Sequence, residues 1–526
     1  MTSASTNSSA GGVTDSASTR ADENALEANA LGLPAIMILA IGGAAPLLGA
    51  LGNIPLGYAL GGTVGMPGTY ILVTAILLLF SVGYVAMARR LTAAGGFYSF
   101  ISHGIGRPFG LAAGWSALLG YLLVEVAIIG AVGYFAADTF ASLLSFHASW
   151  VWYAFTAIAV IAVLTYFNVK VSAKVLGVTL AIEVLSLLIM DVAVIVHGGA
   201  SGLDLKSASP IEAFHGTAPG IAIFFAFWSF LGFEVVPNYA EESKDPRRNV
   251  GKATYLAVVL IGVIYLLTAW AGAVGHGTDN VVKAAGADPV NFFYSINGTY
   301  AGHLSVDLMK WMVITSSFAC ALAFHQTTCR YTYAMGREGV LPEGLAATHP
   351  KWKSPYRAGV LQTAMVLVAV VVFIIFWHAS QSAQDFSGTF ANAPYYEMFG
   401  WGAIATTFFV TLNQALSSVA TILYFHRGAG LGQGDWWRTL LAPALGGIGM
   451  LAALYLLISN LTTVGGDVIW VRIIPWFCLA WFAIGLALAL WLRSASPARY
   501  AEIGRFVNHA MVPEDPEGET QPVMVP

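Results

Sequence analysis

The chain has 526 residues, of which 57% are hydrophobic and only 10% are charged, and its formal net charge is −4. Soluble domains usually carry about 25% charged residues, because water must be satisfied over their whole surface. The loss of charge predicts an exterior that faces lipid, and the negative balance argues against a nucleic-acid-binding surface. Three scattered cysteines, Cys320, Cys329 and Cys478, are too few for a disulfide framework or a zinc site.

Both ends of the chain are predicted to be tails. Residues 1–30 are rich in Ser, Ala, Thr and Asn and contain few side chains large enough to bury, which is typical of a disordered segment. They also lack the apolar core and cleavage site of a signal peptide. Residues 496–526 are predicted to form a second cytoplasmic tail. The sequence thus predicts one transmembrane domain over residues 31–495.

The predicted elements are membrane-spanning helices. A bilayer core about 30 Å thick requires about 20 apolar residues per helix. Twelve stretches meet this requirement, and the sequence therefore predicts an all-α membrane protein. The predicted spans are 32–59, 69–88, 109–137, 150–168, 173–197, 216–240, 253–275, 305–334, 358–377, 399–425, 438–459 and 468–492.

The positive charges predict how these spans are oriented. If the N-terminus is cytoplasmic, all but four of the 24 lysines and arginines lie in cytoplasmic loops or tails. The exceptions are Lys206, Lys283, Lys310 and Arg472. Cytoplasmic loops of membrane proteins carry an excess of Lys and Arg. We therefore expect a multi-pass protein of the cell membrane with both termini in the cytoplasm.

Two predicted spans contain helix breakers near their middle. The first span has the run Gly-Gly-Ala-Ala-Pro at 42–46, and the sixth has Gly232 followed by Pro237. Interrupted backbone is tolerated inside a membrane only where it faces protein or a watery cavity. A pair of interrupted helices in corresponding positions of two halves indicates a transporter binding site. The offset predicts a five-plus-five inverted repeat with broken helices 1 and 6, although Gly and Pro are also common in ordinary membrane helices.

Three motifs resemble the amino acid–polyamine–organocation (APC) transporter superfamily. Ala-Ala-Gly-Gly-Phe-Tyr-Ser at 93–99 is similar to the cytoplasmic re-entrant segment before the third helix. Gly-Phe-Glu at 232–234 with Glu-Glu at 241–242 resembles the sixth-helix motif, and Arg-Glu-Gly-x-Leu-Pro at 337–342 resembles the motif after helix 8. The motifs occur in the family's order, and the resemblance covers about residues 30–495.

The resemblance implies a secondary active transporter with the leucine-transporter-like fold. Its substrate would be an amino acid or a related small amine, bound at the membrane midplane and moved by alternating access. A polyamine, another organocation or a small carboxylate is the alternative substrate. The usual Gly-Ser-Gly of the first break is replaced here, although free backbone amides at a helix start still favour an anion. No cofactor is implied, because a proton or sodium gradient, or exchange, would drive transport.

The predicted substrate-binding residues lie at the two breaks and on the third span. Aromatic side chains are candidates for the walls of the cavity, and Phe230 is the candidate for an occluding residue. The set is Ile41, Gly42, Gly43, Ala44, Ala45, Tyr121, Glu125, Trp228, Phe230 and Gly232. For any single aromatic residue, packing within the bilayer is the alternative role.

Acidic residues within the predicted spans are candidates for ion coupling, because a charge at the centre of a membrane helix costs at least about 2.5–3.5 kcal/mol. Glu183 lies midway along the fifth span, where proton-coupled relatives are expected to carry a lysine, and either a coupling or a structural role is open. Ser316 and Ser317 could instead supply oxygen ligands for sodium. Glu125 would attract an ammonium group if it faced the cavity, or share a hydrogen bond if it packed.

Two other classes of function compete with the transporter. A membrane enzyme would require converging catalytic groups, and the sequence has no His-Glu-x-x-His or Gly-x-Ser-x-Gly motif. A channel or sensor would require a continuous polar lining, and no predicted span is polar enough. The expected partners are a small-molecule substrate and the lipid bilayer, with the protein acting as a monomer or homodimer.

Overall fold

The computed structural model describes residues 26–91, 95–167, 169–428, 430–432 and 434–504, with the side chains of 170–172 left aside. Most of the predicted tails lies outside these residues. The last residues of the N-terminal tail are described, and Leu26 and Ala30 are buried. In the C-terminal tail, Pro497–Glu502 is helical. Within the described residues the regular secondary structure is helical, apart from one isolated parallel bridge between Leu31 and Ser243.

The helices of the first half are α1 Leu33–Ala44, α2 Pro46–Gly61, α3 Met66–Ala88, α4 Gly96–Gly104, α5 Arg107–Leu144, α6 Trp150–Tyr166, α7 Val169–Val196 and α8 Pro219–Ser229. A 3₁₀ segment, Phe233–Glu242, follows α8. Several of these helices carry proline in their first turn, where the missing N–H has no intrahelical partner to lose.

The helices of the second half are α9 Pro246–His276, α10 Val281–Ala287, α11 Phe292–Tyr300, α12 His303–Arg337, α13 Tyr356–Ala379, α14 Gln381–Ser387, α15 Gly400–Arg427, α16 Ala442–Ser459, α17 Leu461–Gly465, α18 Ile469–Ala495 and α19 Pro497–Glu502. π-Helical turns, Pro394–Phe399 and Trp437–Leu441, lead into α15 and α16. Short 3₁₀ turns are formed by Lys206–Ala208, Glu212–Phe214 and Glu343–Ala346.

Eleven helical stretches of the described chain are long and apolar enough to cross a membrane, when α1 with α2 and α8 with its 3₁₀ segment each count as one. The predicted fourth span corresponds to α6, which is apolar but has 17 residues. The chain is therefore an all-helical, multi-pass membrane protein. The count of twelve spans stays a prediction.

The interior of the bundle is formed by the segments that carry the predicted site. Of the 18 consecutive residues that are most apolar, 83% are buried in the stretch Leu33–Gly61 and 94% in Pro219–Glu242. In α18 the corresponding share is only 17%. α5 and α12 pack along one another beside these central segments. The two stretches with central helix breakers are thus enclosed by the others, which isolates their irregular backbone from lipid.

Candidate functional site

The first helix changes course at Ala45. α1 ends at Ala44, and Ala45 adopts a left-handed conformation with φ 43° before α2 begins at Pro46. A non-glycine residue in this region costs roughly 1–2 kcal/mol. The hydrogen-bond ladder of α1 ends with the bond from the Ala45 N–H to the Ile41 carbonyl, at 3.0 Å. Pro46 has no N–H with which to continue this ladder. The helix axis is therefore interrupted at the position where the sequence has its Ala-Ala-Pro run.

The second interruption lies between α8 and the 3₁₀ segment. Gly232 has φ 115°, which side chains rarely adopt. Its N–H donates to Glu234 Oε2 at 2.9 Å, and the Tyr121 hydroxyl donates to Glu234 Oε1 at 3.3 Å. Glu234 is 1% exposed. Its carboxyl group thus caps the interruption and ties it to α5.

The two interruptions touch through their backbones. A Cβ atom at Gly43 would lie 3.2 Å from Gly232 Cα, and one at Gly232 would lie 2.7 Å from the Gly43 carbonyl carbon. Only glycine at both positions permits this approach without displacing backbone. The irregular parts of the two segments therefore share one place in the protein interior.

A narrow cavity of about 20 Å³ opens beside this contact. This is about the volume that one water molecule needs, so a substrate can enter only when the walls move apart. Most of its walls are apolar side chains from five different segments. Its lining consists of Gly43, Ala44, Ala45, Leu48, Gly49, Asn53, Val124, Ile128, Trp228, Leu231, Cys320, Phe324 and Phe399.

Helix ends of opposite polarity meet at the cavity. The C-terminus of α1 presents the carbonyl groups of Gly43 and Ala44, and the N-terminus of α2 begins one residue later. The Cys320 thiol donates to Gly43 O at 3.0 Å, and the Tyr265 hydroxyl donates to Ala44 O at 2.8 Å. A helix C-terminus favours a cation and an N-terminus favours an anion. The site therefore offers a partner for each charge of a zwitterion.

Asn53 is the only side-chain amide among the residues that line the described cavity. Its Nδ2 donates to Ser229 Oγ at 2.9 Å, and Ser229 donates its own proton to Phe225 O at 2.7 Å. The Tyr70 hydroxyl lies 3.0 Å from the same Ser229 oxygen. Because the Ser229 proton is used in the bond to Phe225, Ser229 Oγ can only accept a hydrogen bond from Asn53. The Asn53 amide must therefore turn its Nδ2 toward Ser229, and Asn53 Oδ1 has no partner. The cavity thus contains one free side-chain hydrogen-bond acceptor.

The structure places four of the predicted binding residues in the cavity wall: Gly43, Ala44, Ala45 and Trp228. The other predicted residues lie elsewhere. Gly42 faces α7, Tyr121 reaches Glu234, and Phe230 packs between Tyr70 and Tyr265. Ile41 and Gly232 are buried, but they are not among the residues that line the cavity.

Sequence reasoning missed most of the walls. The missed residues come from α2, α5, the interruption after α8, α12 and the turn before α15, and most are ordinary apolar residues. The missed residues are Leu48, Gly49, Asn53, Val124, Ile128, Leu231, Cys320, Phe324 and Phe399. Among these, only Asn53 carried a signal, as an amide within an apolar span.

Glu125 does not line the cavity. One carboxyl oxygen lies 2.7 Å from His325 Nδ1 on α12, and the other accepts from Gln362 Nε2 on α13 at 2.7 Å. Glu125, His325 and Gln362 are each at most 1% exposed. Both oxygens are therefore occupied by protein, and of the two roles considered for Glu125, this geometry favours packing.

Glu183 lies beside the start of α2 rather than in the cavity. Ser316 hydrogen-bonds the Glu183 carboxyl group and accepts from the Leu48 N–H at 3.2 Å. The second carboxyl oxygen, Glu183 Oε2, is buried and has no partner. Ser317 donates to Val313 O within its own helix at 2.7 Å. A short chain of hydrogen bonds thus joins α7 to α12 and to the first turn of α2.

Buried ion pairs close the end of the molecule where α12 meets the 3₁₀ segment. The Arg330 guanidinium donates to both oxygens of Glu242, at 2.7 and 3.1 Å, and lies over the Tyr239 ring. Arg337 pairs with Glu241 at 2.7 Å. Both glutamates thus pair with arginines of α12, which approach from a distant part of the chain.

No metal centre competes with this interpretation in the described chain, since no group of three His, Cys, Asp or Glu side chains there is arranged to hold an ion. A multi-pass helical bundle with interrupted helices around an enclosed, mainly apolar cavity defines a membrane transporter of small solutes. Residues 31–484 match the family described as amino acid permease, and the chain belongs to that family. This confirms the resemblance to the APC superfamily.

Curated relatives within the family carry transporter names. The chain is 27% identical over 316 residues to the low-affinity putrescine importer PlaP of Escherichia coli, covering 58% of this chain and 67% of PlaP. It is 24% identical over 314 residues to the branched-chain amino acid permease BcaP of Bacillus subtilis, covering 56% and 64%. The methylthioribose transporter of Bacillus subtilis is 34% identical over 152 residues, covering 28% and 31%. The chain is therefore a secondary transporter and not an enzyme.

Proposed function

We propose that this protein is a proton-driven symporter of a neutral amino acid with a small apolar side chain. The observation that carries this proposal is the cavity at the contact of the two interrupted helices, where both kinds of helix end meet. Transport proceeds by alternating access around this fixed site.

The helix ends account for the α-amino acid part of the substrate. The start of α2 suits a carboxylate, because the first N–H groups of a helix have no intrahelical partners. The carbonyl groups at the end of α1 suit an ammonium group. This arrangement recognises the two charges through backbone, which explains how the site can dispense with the serine of the usual Gly-Ser-Gly break.

The walls account for the rest of the substrate. Val124, Ile128, Leu231, Phe324 and Phe399 surround the cavity with apolar surface, and no Asp or Glu is among its described lining residues. A diamine carries a second charge, which such walls would leave unpaired at high cost. An apolar side chain of modest size leaves no charge unpaired against these walls. The lining therefore favours the kind of substrate named for BcaP over the one named for PlaP.

Glu183 is the proposed proton site. An unpaired negative charge inside the membrane is costly, so the half-satisfied Glu183 carboxyl group suits the gain and loss of a proton. Through Ser316 it reaches Leu48 N at the start of α2. Sodium is the weaker alternative, because the group of the first helix that faces Ser316 is an N–H donor rather than a carbonyl ligand.

The finer topology is proposed on the same basis. α6 serves as a twelfth spanning helix, α1 with α2 and α8 with its 3₁₀ segment are the broken helices 1 and 6, and the core is a five-plus-five inverted repeat. Both termini are cytoplasmic and the membrane is the plasma membrane, as the distribution of Lys and Arg favours. One chain supplies every wall of the cavity, so a monomer is sufficient for transport.

Counterflow in proteoliposomes tests the proposed substrate. Vesicles containing the purified chain are loaded with unlabelled leucine, and uptake of labelled leucine, valine, putrescine and methylthioribose is followed. We expect saturable counterflow of leucine and valine, and at most one tenth of that rate for putrescine. Preferential counterflow of putrescine would refute the amino acid assignment, and absence of counterflow with every solute would refute the carrier itself.

A further inference from the structure

A second cleft, separate from the transport cavity, lies at one end of the spanning helices. It is an open cleft of about 1,070 Å³, including solvent at its mouth. Its floor is the last two turns of α3, and its walls are the first turns of α9 and the π-helical turn before α16. The lining includes Val82, Ala86, Arg89, Arg90, Tyr255, Trp437, Arg438 and Thr439.

The cleft is positively charged. Arg89, Arg90 and Arg438 line it, whereas Asp435 is the only acidic residue among its described lining residues. Asp435 lies 3.4 Å from Arg438. The side chains of Arg438 and Asp435 are 63% and 54% exposed, so this pair is solvated and weak. The hydroxyl groups of Tyr255 and Thr439 add hydrogen-bonding capacity.

The level of the cleft in the membrane follows from the helices that form it. Arg89 and Arg90 come directly after the apolar span Met66–Ala88, and Arg438 stands at the start of the apolar span Trp437–Ser459. Trp436 and Trp437 are 64% and 43% exposed. Tryptophan and arginine at the ends of spans are typical of the boundary between acyl chains and headgroups. The charged cleft is therefore at headgroup level.

An apolar surface continues from the cleft into the membrane. α3 packs between α9 and α16, since a Cβ at Gly262 would touch Thr74 and one at Gly449 would touch Ile76. Beyond the cleft, exposed apolar side chains flank α3 on both neighbours. They are Val259 and Val263 on α9, and Leu445 and Ile448 on α16. A ligand with an anionic head and apolar chains matches both parts of this surface.

We propose that this cleft, formed by α3, α9 and the turn before α16, is a binding site for an anionic phospholipid of the adjoining leaflet. Arg89 and Arg438 hold the phosphate, because guanidinium groups suit phosphate geometry. Tyr255 and Thr439 bond the headgroup, and the acyl chains lie along α3. The site adds a lipid ligand to the protein and is independent of the transported substrate.

Thermal unfolding of the purified full-length chain tests the proposal. Phosphatidylglycerol, compared with phosphatidylcholine of the same acyl chains, is expected to raise the unfolding temperature by at least about 2 °C. Arg89→Gln and Arg438→Gln should each lose at least half of this shift. Arg493→Gln, an exposed arginine at the end of α18 that does not line the cleft, should retain it. Native mass spectrometry should show fewer bound phosphatidylglycerol molecules for the two cleft variants alone.

Three outcomes would overturn the lipid site. The cleft variants could retain the full shift, or Arg493→Gln could lose as much as they do, which would mean a general effect of charge. Glycerol phosphate alone could also reproduce the shift, which would identify a soluble anion as the ligand. If one cleft variant fails to fold, the other still decides, because Arg89 follows α3 whereas Arg438 lies in the π-helical turn before α16.

Discussion

Gly43 and Gly232 lie in direct backbone contact, with no side chain between them. This contact joins the interruption between α1 and α2 to the interruption between α8 and the 3₁₀ segment, and the cavity opens beside it. Two irregular backbones held this close bring the end of α1 and the start of α2 to one small volume. Close contact of the two glycines is therefore a condition for the geometry of the site.

Replacing Gly43 by alanine should impair transport. A Cβ there would lie 3.2 Å from Gly232 Cα, which is backbone and cannot rotate away. Overpacking of this kind costs about 1–3 kcal/mol, which corresponds to about a fivefold to 150-fold loss of the competent arrangement. Initial uptake rates in proteoliposomes measure the loss.

Gly42→Ala is the matched control for this substitution. A Cβ at Gly42 would meet only Leu176 Cδ2, at 3.9 Å, which is an ordinary contact. The neighbouring glycine should therefore tolerate alanine with less than a twofold change in uptake rate. Equal losses in Gly42→Ala and Gly43→Ala would show that the contact with Gly232 is not what matters.

The sequence was sufficient to predict the helical membrane fold, because apolar run length is a local property. It could not predict which helix faces complete the cavity. Val124 and Ile128 look like any other apolar residues of α5, and only tertiary packing sets them opposite Trp228. Glu125, one residue from Val124, faces His325 and Gln362 instead. A single position along a helix thus separates a wall of the site from its scaffold.

Asn53 should determine whether the cavity accepts a neutral or a cationic solute. Its free Oδ1 is a neutral acceptor fixed by Ser229. Asn53→Asp retains size and shape but adds a carboxylate, which would attract a second ammonium group. We expect this variant to lose leucine uptake and to gain putrescine uptake at least about tenfold, the equivalent of about 1.4 kcal/mol. Uptake of labelled leucine and uptake of labelled putrescine, measured separately in the wild type and the variant, give the change.

Asn413→Asp serves as a comparison for the Asn53 substitution. Asn413 is also buried, but it bonds Ser116 and Ala113 and is not among the described lining residues. Its replacement should leave the preference between leucine and putrescine unchanged, whatever it does to stability. A shift in preference with Asn413→Asp, or none with Asn53→Asp, would argue against a selective role for the Asn53 oxygen.

Glu183→Gln should uncouple transport from the proton gradient. Glutamine keeps a hydrogen-bonding partner for Ser316 but cannot bind and release a proton. Uptake driven by an inward pH gradient should fall to the level without a gradient, while leucine exchange should remain within about threefold of the wild-type rate, a change of under 1 kcal/mol. Unchanged gradient-driven uptake in Glu183→Gln would exclude the coupling role.

Asp191→Asn is the control for the loss of a buried carboxyl group from α7. Asp191 is 3% exposed, and one of its oxygens accepts from Thr268 on α9 at 2.9 Å. It has no contact with Ser316 or with the start of α2 among the described hydrogen bonds. Gradient-driven uptake should therefore survive in Asp191→Asn, and its loss would extend proton coupling beyond Glu183.

Breaking the Arg330–Glu242 pair should open one end of the transport cavity. Arg330 is 1% exposed and its guanidinium bonds both Glu242 oxygens, so Glu242→Gln leaves a buried charge without its counterion. Removing one partner of a buried pair costs about 3–5 kcal/mol. The Glu242 carbonyl also accepts from Leu31 N at 2.9 Å, which holds the segment before α1 against the 3₁₀ segment. Lost pairing should therefore loosen both interrupted helices at this end.

The native thiol of Cys320 reports this opening, because Cys320 lines the cavity while Cys329 and Cys478 are buried elsewhere. In a Cys329→Ser, Cys478→Ser background, Glu242→Gln should speed labelling of Cys320 by N-ethylmaleimide at least about tenfold, as expected for a shift of about 1.4 kcal/mol toward an open state. Glu241→Gln, which breaks the pair with the more exposed Arg337, should have a smaller effect. Equal labelling rates in the two variants would mean that the buried pair does not hold this end closed.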